Sequence, residues 1–193
     1  MGDKYKLLPE LVPLFPDKIN NFIEPFTGGG SVFLNVNAKN YLLNNIDKHI
    51  ISIHKLFNSY KKNPEAFFQK VEKIICEYNL SRSYKEDIVP RKLKIKYPKT
   101  YYAHFNKSSY LKLRDNFNSE INKDYLKAYI LLIYGFNRIM RFNSMGKFNL
   151  PVGNVDFNTN VVNSLNNYFR IIPKKKIKFT SIDYYNFLKK ISY

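Results

Sequence analysis

A short run near the amino terminus has the composition of a ligand-binding turn between a strand and a helix. The apolar residues 21–26 lead into Thr-Gly-Gly-Gly at 27–30, and a helix-like segment follows at 31–34. Glycines at such a turn let a ligand approach the backbone where a helix N-terminus offers unpaired N–H groups. The spacing fits neither G-x-G-x-x-G nor a P-loop. Because Glu24 would repel phosphate, the run favours a cationic ligand such as S-adenosylmethionine; an ordinary strand-to-helix turn is the alternative.

A second candidate site follows the next predicted strand, at 41–46. In a parallel α/β sheet, the carboxyl end of this strand delivers a polar side chain to the ribose hydroxyls of a nucleoside. Asn45 is the better candidate by position, and Asp47 is the next. Either side chain could equally cap the helix predicted to start near Lys48.

The third candidate site is the polar and aromatic segment 136–149. Asparagine pairs with adenine and arginine with guanine in the major groove, and an exposed aromatic ring can wedge between base steps. Asn137 and Arg141 are four residues apart, so they share a face if the segment is helical. Phe136 would then be the wedge. A surface loop with its aromatic rings packed beneath it is the alternative interpretation.

The elements that must position these residues predict an α/β fold. The order strand, helix, strand, helix over 21–60 indicates a parallel sheet with right-handed crossovers. A further strand is predicted at 176–180, with Asp183 at its end and a last helix after it. Apolar residues at helical spacing predict further helices at 4–15, 48–60, 121–134 and 160–172.

The net charge favours a polyanionic partner. Lys and Arg number 32 and Asp and Glu 15 in 193 residues, a balance of +17. From Arg82 to Arg114 there are ten basic residues and two acids, Glu86 and Asp87. Such a charge attracts nucleic acid. A genome-wide bias towards lysine and asparagine is the alternative explanation.

Composition also excludes several classes of protein. A hydrophobic content of 45% excludes wholesale disorder. No apolar run approaches the roughly 18 residues that a membrane span needs, and no secretory signal is recognisable, so a cytoplasmic protein is expected. Cys76 has no partner for an internal disulfide and is predicted to be a core residue of a helix.

Four motifs occur in one order along the chain. Residues 2–8 are similar to G-x-K-x-x-L, 24–33 to E-P-F-x-G-x-G-S-V-F, and 114–118 to R-x-x-F-N. Residues 135–153 are similar to G-[FY]-N…R-x-N…G-x-F-N-x-P-x-G. Together they resemble the Dam-type (α-group) family of DNA adenine-N6 methyltransferases over nearly the whole chain.

The resemblance implies a Rossmann-like, S-adenosylmethionine-dependent methyltransferase fold with an inserted helical DNA-recognition domain. We expect the cofactor-binding part at 1–60, the recognition domain at 61–158 and the return to the methyltransferase domain at 159–193. By position, the residues implied for the cofactor are Lys4, Glu24, Pro25, Phe26, Gly28, Gly30, Asn45, Ile182 and Asp183. The residues implied for DNA are Phe136, Asn137, Ile139, Arg141, Asn143 and Lys147, and no metal is implied.

The sequence departs from the family at three places. Asn45 stands where the family usually has an acid, and Arg138 where it often has glycine. The family's catalytic Asp-Pro-Pro-Tyr, which follows the segment around Asp183, does not occur in the 193 residues. We therefore expect a truncated or split enzyme that lacks its C-terminal strands and contains no catalytic residue.

The predicted function is site-specific methyl transfer from S-adenosylmethionine to adenine N6 in double-stranded DNA, as in Dam-type or restriction–modification enzymes. One alternative is a catalytically inactive DNA-binding remnant. Another is one subunit of a split methyltransferase, completed by a second polypeptide. An RNA methyltransferase is a weaker alternative, because the 136–153 block resembles readers of duplex DNA.

Overall fold

The computed structural model describes residues 4–86 and 88–191. Gly2 and Asp3 of the first motif, and Asp87 of the basic middle, lie outside the described residues. The chain divides into two compact units. The first runs to Lys62 and resumes at Asn167, and the second is Asn63–Asn166.

The first unit contains a parallel sheet of three strands. These are β1 (Asn21–Glu24), β2 (Asn40–Asn44) and β3 (Ile177–Thr180), in the order β1-β2-β3. Both pairings are parallel, with Glu24 opposite Leu43 and Asn44 opposite Thr180. This confirms the predicted α/β class and small parallel sheet. The carboxyl ends of all three strands therefore meet at one edge, where α/β proteins place their ligands.

Four α-helices of the first unit surround this sheet's connections. They are α1 (Leu8–Leu11), α2 (Ser31–Asn35), α3 (Lys48–Ser59) and α9 (Tyr184–Lys189). The helix predicted at 4–15 is broken, because 3₁₀ turns at Tyr5–Leu7 and Val12–Leu14 flank α1. Pro9 and Pro13 each lie at the start of one of these segments, where a missing N–H is tolerated.

Helices make up most of the second unit. They are α4 (Pro64–Glu77), α5 (Arg91–Lys96), α6 (Tyr101–Ser119) and α7 (Tyr125–Tyr134). α8 (Thr159–Ile171) contains the point at which the chain returns to the first unit. All but two residues of α7 are buried, which explains why its sequence is apolar on every face. Within the described ranges, no helix is both long and apolar enough to span a membrane.

A buried polar network fixes the segment after α4. The backbone N–H and hydroxyl of Ser83 donate to the Asp156 carboxylate at 2.6 and 2.8 Å. Ser81 exchanges two hydrogen bonds with Asn106 of α6, at 2.8 and 2.9 Å. Because buried polar groups are costly when unpaired, this network specifies one arrangement of the second unit's core.

Candidate functional site

The first candidate site is the turn between β1 and α2, here called the glycine loop (residues 25–30). The Thr27 N–H donates to the Asn44 carbonyl at 2.9 Å, and the Gly30 N–H donates to the Thr27 carbonyl at 2.9 Å. Gly30 has a left-handed φ of 87°. A Cβ there would lie 2.5 Å from the Phe33 ring and 3.0 Å from the His54 ring. A side chain at residue 30 would therefore clash with these two rings and strain the backbone. Neighbouring protein atoms, not open space, surround Gly30.

Gly29, unlike Gly30, has open space beside it. A Cβ at Gly29 would meet no described atom within 4 Å. The sequence predicted close approach of a ligand for the glycines of this turn as a group, and the resemblance implied Gly28 and Gly30 for the cofactor. Of Gly29 and Gly30, the geometry favours Gly29 for close approach.

Glu24, the last residue of β1, carries an unusual carboxyl group. The side chain is buried, and Oε2 has no hydrogen-bond partner within the described residues. Burial raises the pKa of Glu24 to about 7, although the Lys4 ammonium and the Phe33 backbone N–H oppose this rise. A buried acceptor without a partner is costly to a fold, so the free Oε2 marks Glu24 as a candidate ligand-binding group.

Four of the residues predicted for the cofactor line one pocket. Lys4, Glu24, Pro25 and Phe26 border a cavity of about 360 Å³, within the usual size range of small-molecule sites. Its other walls are apolar and consist of Leu7, Leu11, Phe15, Phe22, Ile23 and Val32. A smaller cavity continues from Glu24 to Thr27 and Ser31. The pocket therefore combines an apolar body with a single buried carboxyl.

The predicted polar residues after β2 lie in a local turn. Asn45 Oδ1 accepts from the Asp47 N–H at 2.9 Å, and Asp47 caps α3 by accepting from the His49 N–H at 2.8 Å. Asp47 is therefore the N-cap of α3, as the capping alternative predicted. Asn45 is half-buried at the sheet edge, and its contact with a ribose stays a prediction.

Asn44, which the sequence did not single out as a binding residue, joins the strand ends. It is 1% exposed. Its amide donates to the carbonyls of Pro25 and Ile182 at 3.2 and 2.8 Å. Its Oδ1 accepts from the Ile182 N–H at 3.1 Å and the Thr180 hydroxyl at 2.8 Å. One side chain therefore fixes the glycine loop to the segment that follows β3.

That segment contains the predicted residues Ile182 and Asp183. Asp183 caps α9 by accepting from the Asn186 N–H at 3.0 Å, and this hydrogen bond lowers the pKa of Asp183. Both predicted residues border a second, open pocket of about 500 Å³. Next to them, the exposed ring of Tyr184 lies 5.9 Å from that of Phe26. The ends of β1 and β3 therefore present two aromatic rings side by side.

His54 of α3 holds the glycine loop from inside the core. Its Nε2 lies 2.9 Å from the Gly28 carbonyl, and its ring stacks on Phe179 at 5.7 Å with an interplanar angle of 12°. Burial lowers the pKa of His54, and Nδ1 has no partner among the described atoms. Because a carbonyl only accepts, the Nε2–H donates to Gly28, and burial disfavours the charged form of the ring. No motif signalled this residue.

The second candidate site is a hairpin at 135–153 in the second unit, here called the 135–153 hairpin. Gly135 pairs with Val152 and Phe142 with Phe148, both antiparallel. The segment is not an α-helix, so the condition under which Asn137 and Arg141 would share a helical face is not met. Asn137 lies in a 3₁₀ turn (Phe136–Arg138) with φ of 54°. Arg141 lies on the first arm of the hairpin, where its backbone carbonyl accepts from the Asn149 N–H at 3.1 Å.

The predicted DNA-contacting side chains of this hairpin lie mostly at the surface. Phe136 is 54% exposed and Ile139 44%. Asn137, Arg141 and Lys147 are exposed as well. In contrast, Asn143 is half-buried and shapes the tip, where its Oδ1 accepts from the Met145 and Lys147 N–H groups at 3.1 and 2.9 Å.

The R-x-x-F-N motif anchors the hairpin to α6. The Asn118 amide donates to the Phe148 carbonyl at 2.9 Å, and its Oδ1 accepts from the Phe148 N–H at 2.8 Å. The buried ring of Phe117 packs edge-on against Phe148 at 6.2 Å. The Tyr110 hydroxyl donates to the Leu150 carbonyl at 3.1 Å. Packing beneath the loop therefore describes Phe148, whereas Phe136 projects outward.

Comparison with known proteins identifies relatives of the whole chain. The family model for D12 class N6 adenine-specific DNA methyltransferases matches residues 1–192. Modification methylase StsI of Streptococcus sanguinis is 30% identical over 188 residues, covering 96% of this chain and 25% of the relative. Type II methyltransferase M.FokI of Planomicrobium okeanokoites is 29% identical over 189 residues, covering 97% and 25%.

A DNA adenine methylase of Haemophilus influenzae is 33% identical over 155 residues, covering 79% of this chain and 44% of the relative. The chain thus spans a quarter of the first two relatives and less than half of the third.

Proposed function

The chain belongs to the D12 class of N6 adenine-specific DNA methyltransferases, and on that premise we propose that it binds S-adenosylmethionine and duplex DNA for site-specific methylation of adenine N6. The observation that carries the proposal is the buried carboxyl of Glu24 beside the glycine loop, whose Oε2 has no hydrogen-bond partner among the described residues. Modification methylases and DNA adenine methylases are among its relatives, which supports a role in restriction–modification or Dam-type DNA methylation.

The residues of the first unit fit the chemistry of this cofactor. S-adenosylmethionine supplies a methyl group on a positively charged sulfur, and it carries an ammonium and no phosphate. The Glu24 carboxylate would pair with positive charge, and the apolar pocket beside it would exclude water from that pair. Asn45 would bind the ribose, and Ile182 and Asp183 would lie beside the adenine. An amide in place of an acid at Asn45 can still hydrogen-bond a hydroxyl.

Two further contacts support this assignment. The paired rings of Phe26 and Tyr184 offer an apolar surface next to Asp183, suited to a flat heterocycle. Asn44 and His54 hold the glycine loop from two sides, so the pocket is formed before a ligand arrives. A preformed site loses less freedom on binding.

We assign the two compact units to the two parts of the predicted organisation. The first unit would be the Rossmann-like methyltransferase domain and the second the inserted DNA-recognition domain. The units change after Lys62 and after Asn166, whereas the sequence suggested changes after 60 and 158. The later second boundary reflects α8, whose first part packs with the second unit.

The 135–153 hairpin would read the DNA. Phe136 would insert between bases, and Asn137 and Arg141 would contact base edges, with Ile139 and Lys147 beside them. Asn143 would act by shaping the tip, since its carbonyl oxygen already serves two backbone N–H groups. All of these residues bind or position, and none of them is assigned a catalytic role.

The test is equilibrium binding of S-adenosylmethionine by isothermal titration calorimetry. We expect saturable binding by the native chain and a loss of at least tenfold in affinity for Glu24→Gln, which keeps the shape of the side chain but removes its charge. Glu10→Gln on α1 is the matched control, because Glu10 is an exposed acid outside the pocket lining. Absence of binding by the native chain would contradict the proposal.

A further inference from the structure

A basic surface lies on the same unit as the 135–153 hairpin, and neither candidate site includes it. We call it the basic corner: Arg91, Lys92 and Lys96 of α5, Lys99 after it and Lys107 on α6. All five side chains are exposed. The sequence from residue 88 to residue 114 contains eight Lys or Arg and no Asp or Glu.

The charges at the start of α5 oppose the stability of that helix. Arg91 and Lys92 occupy the first turn of α5, where the helix dipole favours acidic residues, and that turn contains none. Lys92 and Lys96 are four residues apart on one face, where like charges repel. Departures from local rules of this kind are expected at functional or strained sites.

Within residues 4–86 and 88–191, the basic corner lacks the ion pairs found elsewhere in the second unit. Lys85 pairs with Glu72 at 2.6 Å and Lys127 with Glu120 at 2.5 Å. In the described part of the chain, no carboxylate lies within 4.0 Å of any of the five cations of the corner. Their charges are therefore available to an external anion.

The fold holds the basic corner at a defined place beside the hairpin. Asn154 directly follows Gly153, whose N–H closes the base of the hairpin by donating to the Tyr134 carbonyl at 2.7 Å. The Asn154 amide donates to the Lys99 carbonyl at 2.8 Å, and its Oδ1 accepts from the Ala103 N–H at 3.1 Å. The chain that ends the hairpin is thus bonded to the turn between α5 and α6.

Aromatic packing stiffens the corner without using its charged groups as donors. The Tyr97 ring stacks on His104 with centroids 3.6 Å apart, which joins the end of α5 to α6. The Lys96 ammonium lies 5.3 Å from the centre of the same Tyr97 ring, an arrangement that leaves its N–H groups free to donate. A stiff, charged surface of this kind is suited to a regular polyanion.

We infer that the basic corner binds the phosphate backbone of duplex DNA beside the bases that the 135–153 hairpin contacts. The inference rests on the proposed function, because the hairpin defines which duplex is held. Contacts to phosphate fix register and orientation but do not discriminate sequence. The corner would therefore supply affinity on every duplex, and the hairpin would supply specificity.

The experiment compares two triple variants of the full chain with equal loss of charge. Arg91→Gln/Lys92→Gln/Lys96→Gln removes the basic corner, and Lys18→Gln/Lys39→Gln/Lys62→Gln removes three exposed or surface lysines of the first unit. Binding to a fluorescein-labelled duplex is followed by anisotropy between 50 and 200 mM NaCl, on two unrelated sequences. The slope of log K against log salt is negative, and each lost phosphate contact reduces its magnitude by about 0.9. The slope of the corner variant should therefore be smaller in magnitude by up to about 2.7.

For the corner variant we expect a slope of smaller magnitude and weaker binding, with affinity reduced by the same factor on both duplexes. The control variant should bind like the native chain. Glutamine is a good helix former, so the melting temperature of the corner variant should not fall. Lys99→Gln/Lys107→Gln, outside α5, should give an intermediate loss. Equal effects of the corner and control variants, or an unchanged slope, would overturn the basic corner alone. Absence of DNA binding by the native chain would overturn the proposed function as well.

Discussion

At the scale of single residues, Glu24 is where sequence, fold and proposed chemistry meet. Glu24 is the last residue of β1, next to the glycine loop. Its side chain is buried, and one carboxyl oxygen has no partner among the described atoms. Burial raises the pKa of Glu24 to about 7. Ionising it costs the unliganded protein stability, and a bound cation would offset that cost.

Glu24 therefore predicts a pH dependence of cofactor binding. A raised carboxyl pKa means that the unliganded chain binds a proton which the cationic ligand must displace. Affinity for S-adenosylmethionine should rise about fivefold from pH 6 to pH 7 as the carboxyl ionises, and then level off. In the absence of ligand, the free energy of unfolding should fall over the window from pH 4.5 to about 7. Titration calorimetry measures the first effect, and Glu24→Gln should abolish the pH dependence; a variant that keeps it would contradict this role.

Single residues also show where inference from sequence stops. Glu24 and Phe26 could be placed in the pocket because a local motif carries them. The partners of Asn44 and His54 lie 138 and 26 residues away, so no local pattern could reveal them. The prediction for Cys76 was wrong: Val71, Ile74 and Ile75 take the buried face of α4, and Cys76 is exposed on the other.

At the scale of elements, the hairpin depends on the helix beneath it. The 135–153 hairpin has only isolated ladder bridges of its own, and α6 supplies its main support through Asn118, Phe117 and Tyr110. The three strands and the helices α3, α7 and α8 were predictable because their apolar spacing is regular, whereas α5 and α6 were not predicted. The hairpin was not, since Asn137 and Arg138 adopt left-handed φ of 54° and 50°. Glycine, the residue that the family often has where Arg138 stands, adopts such angles without strain.

Removing the anchor of the hairpin should impair DNA binding specifically. Asn118→Ala leaves both backbone groups of Phe148 without their partner, which costs about 1–3 kcal/mol of stability. We expect weaker DNA binding and unchanged affinity for S-adenosylmethionine, measured on the same preparation. Asn116→Ala is the control on the same helix, because its Oδ1 accepts from the half-buried Lys127 ammonium at 2.7 Å and not from the hairpin. Native-like DNA binding by Asn118→Ala would show that the hairpin has no part in it.

At the scale of the whole molecule, each compact unit would bind its own ligand. The first unit contains the sheet edge with its acidic pocket, and the second contains the hairpin and the basic corner. The excess positive charge of +17 is consistent with a DNA-binding protein, and its acid-free stretch falls wholly in the second unit. The net charge alone could not distinguish a DNA-binding role from compositional bias. The position of the acid-free basic stretch in the second unit favours the DNA-binding role.

The most direct test of this division is hydrogen–deuterium exchange of the native chain with each ligand in turn. S-adenosylmethionine should slow exchange in 22–34 and 180–186, the segments that border the acidic pocket and the end of β3. Duplex DNA should slow exchange in 136–149 and in 91–107, which cover the hairpin and the basic corner. Protection by S-adenosylmethionine confined to the second unit, or protection by DNA that leaves 136–149 unchanged, would contradict the account.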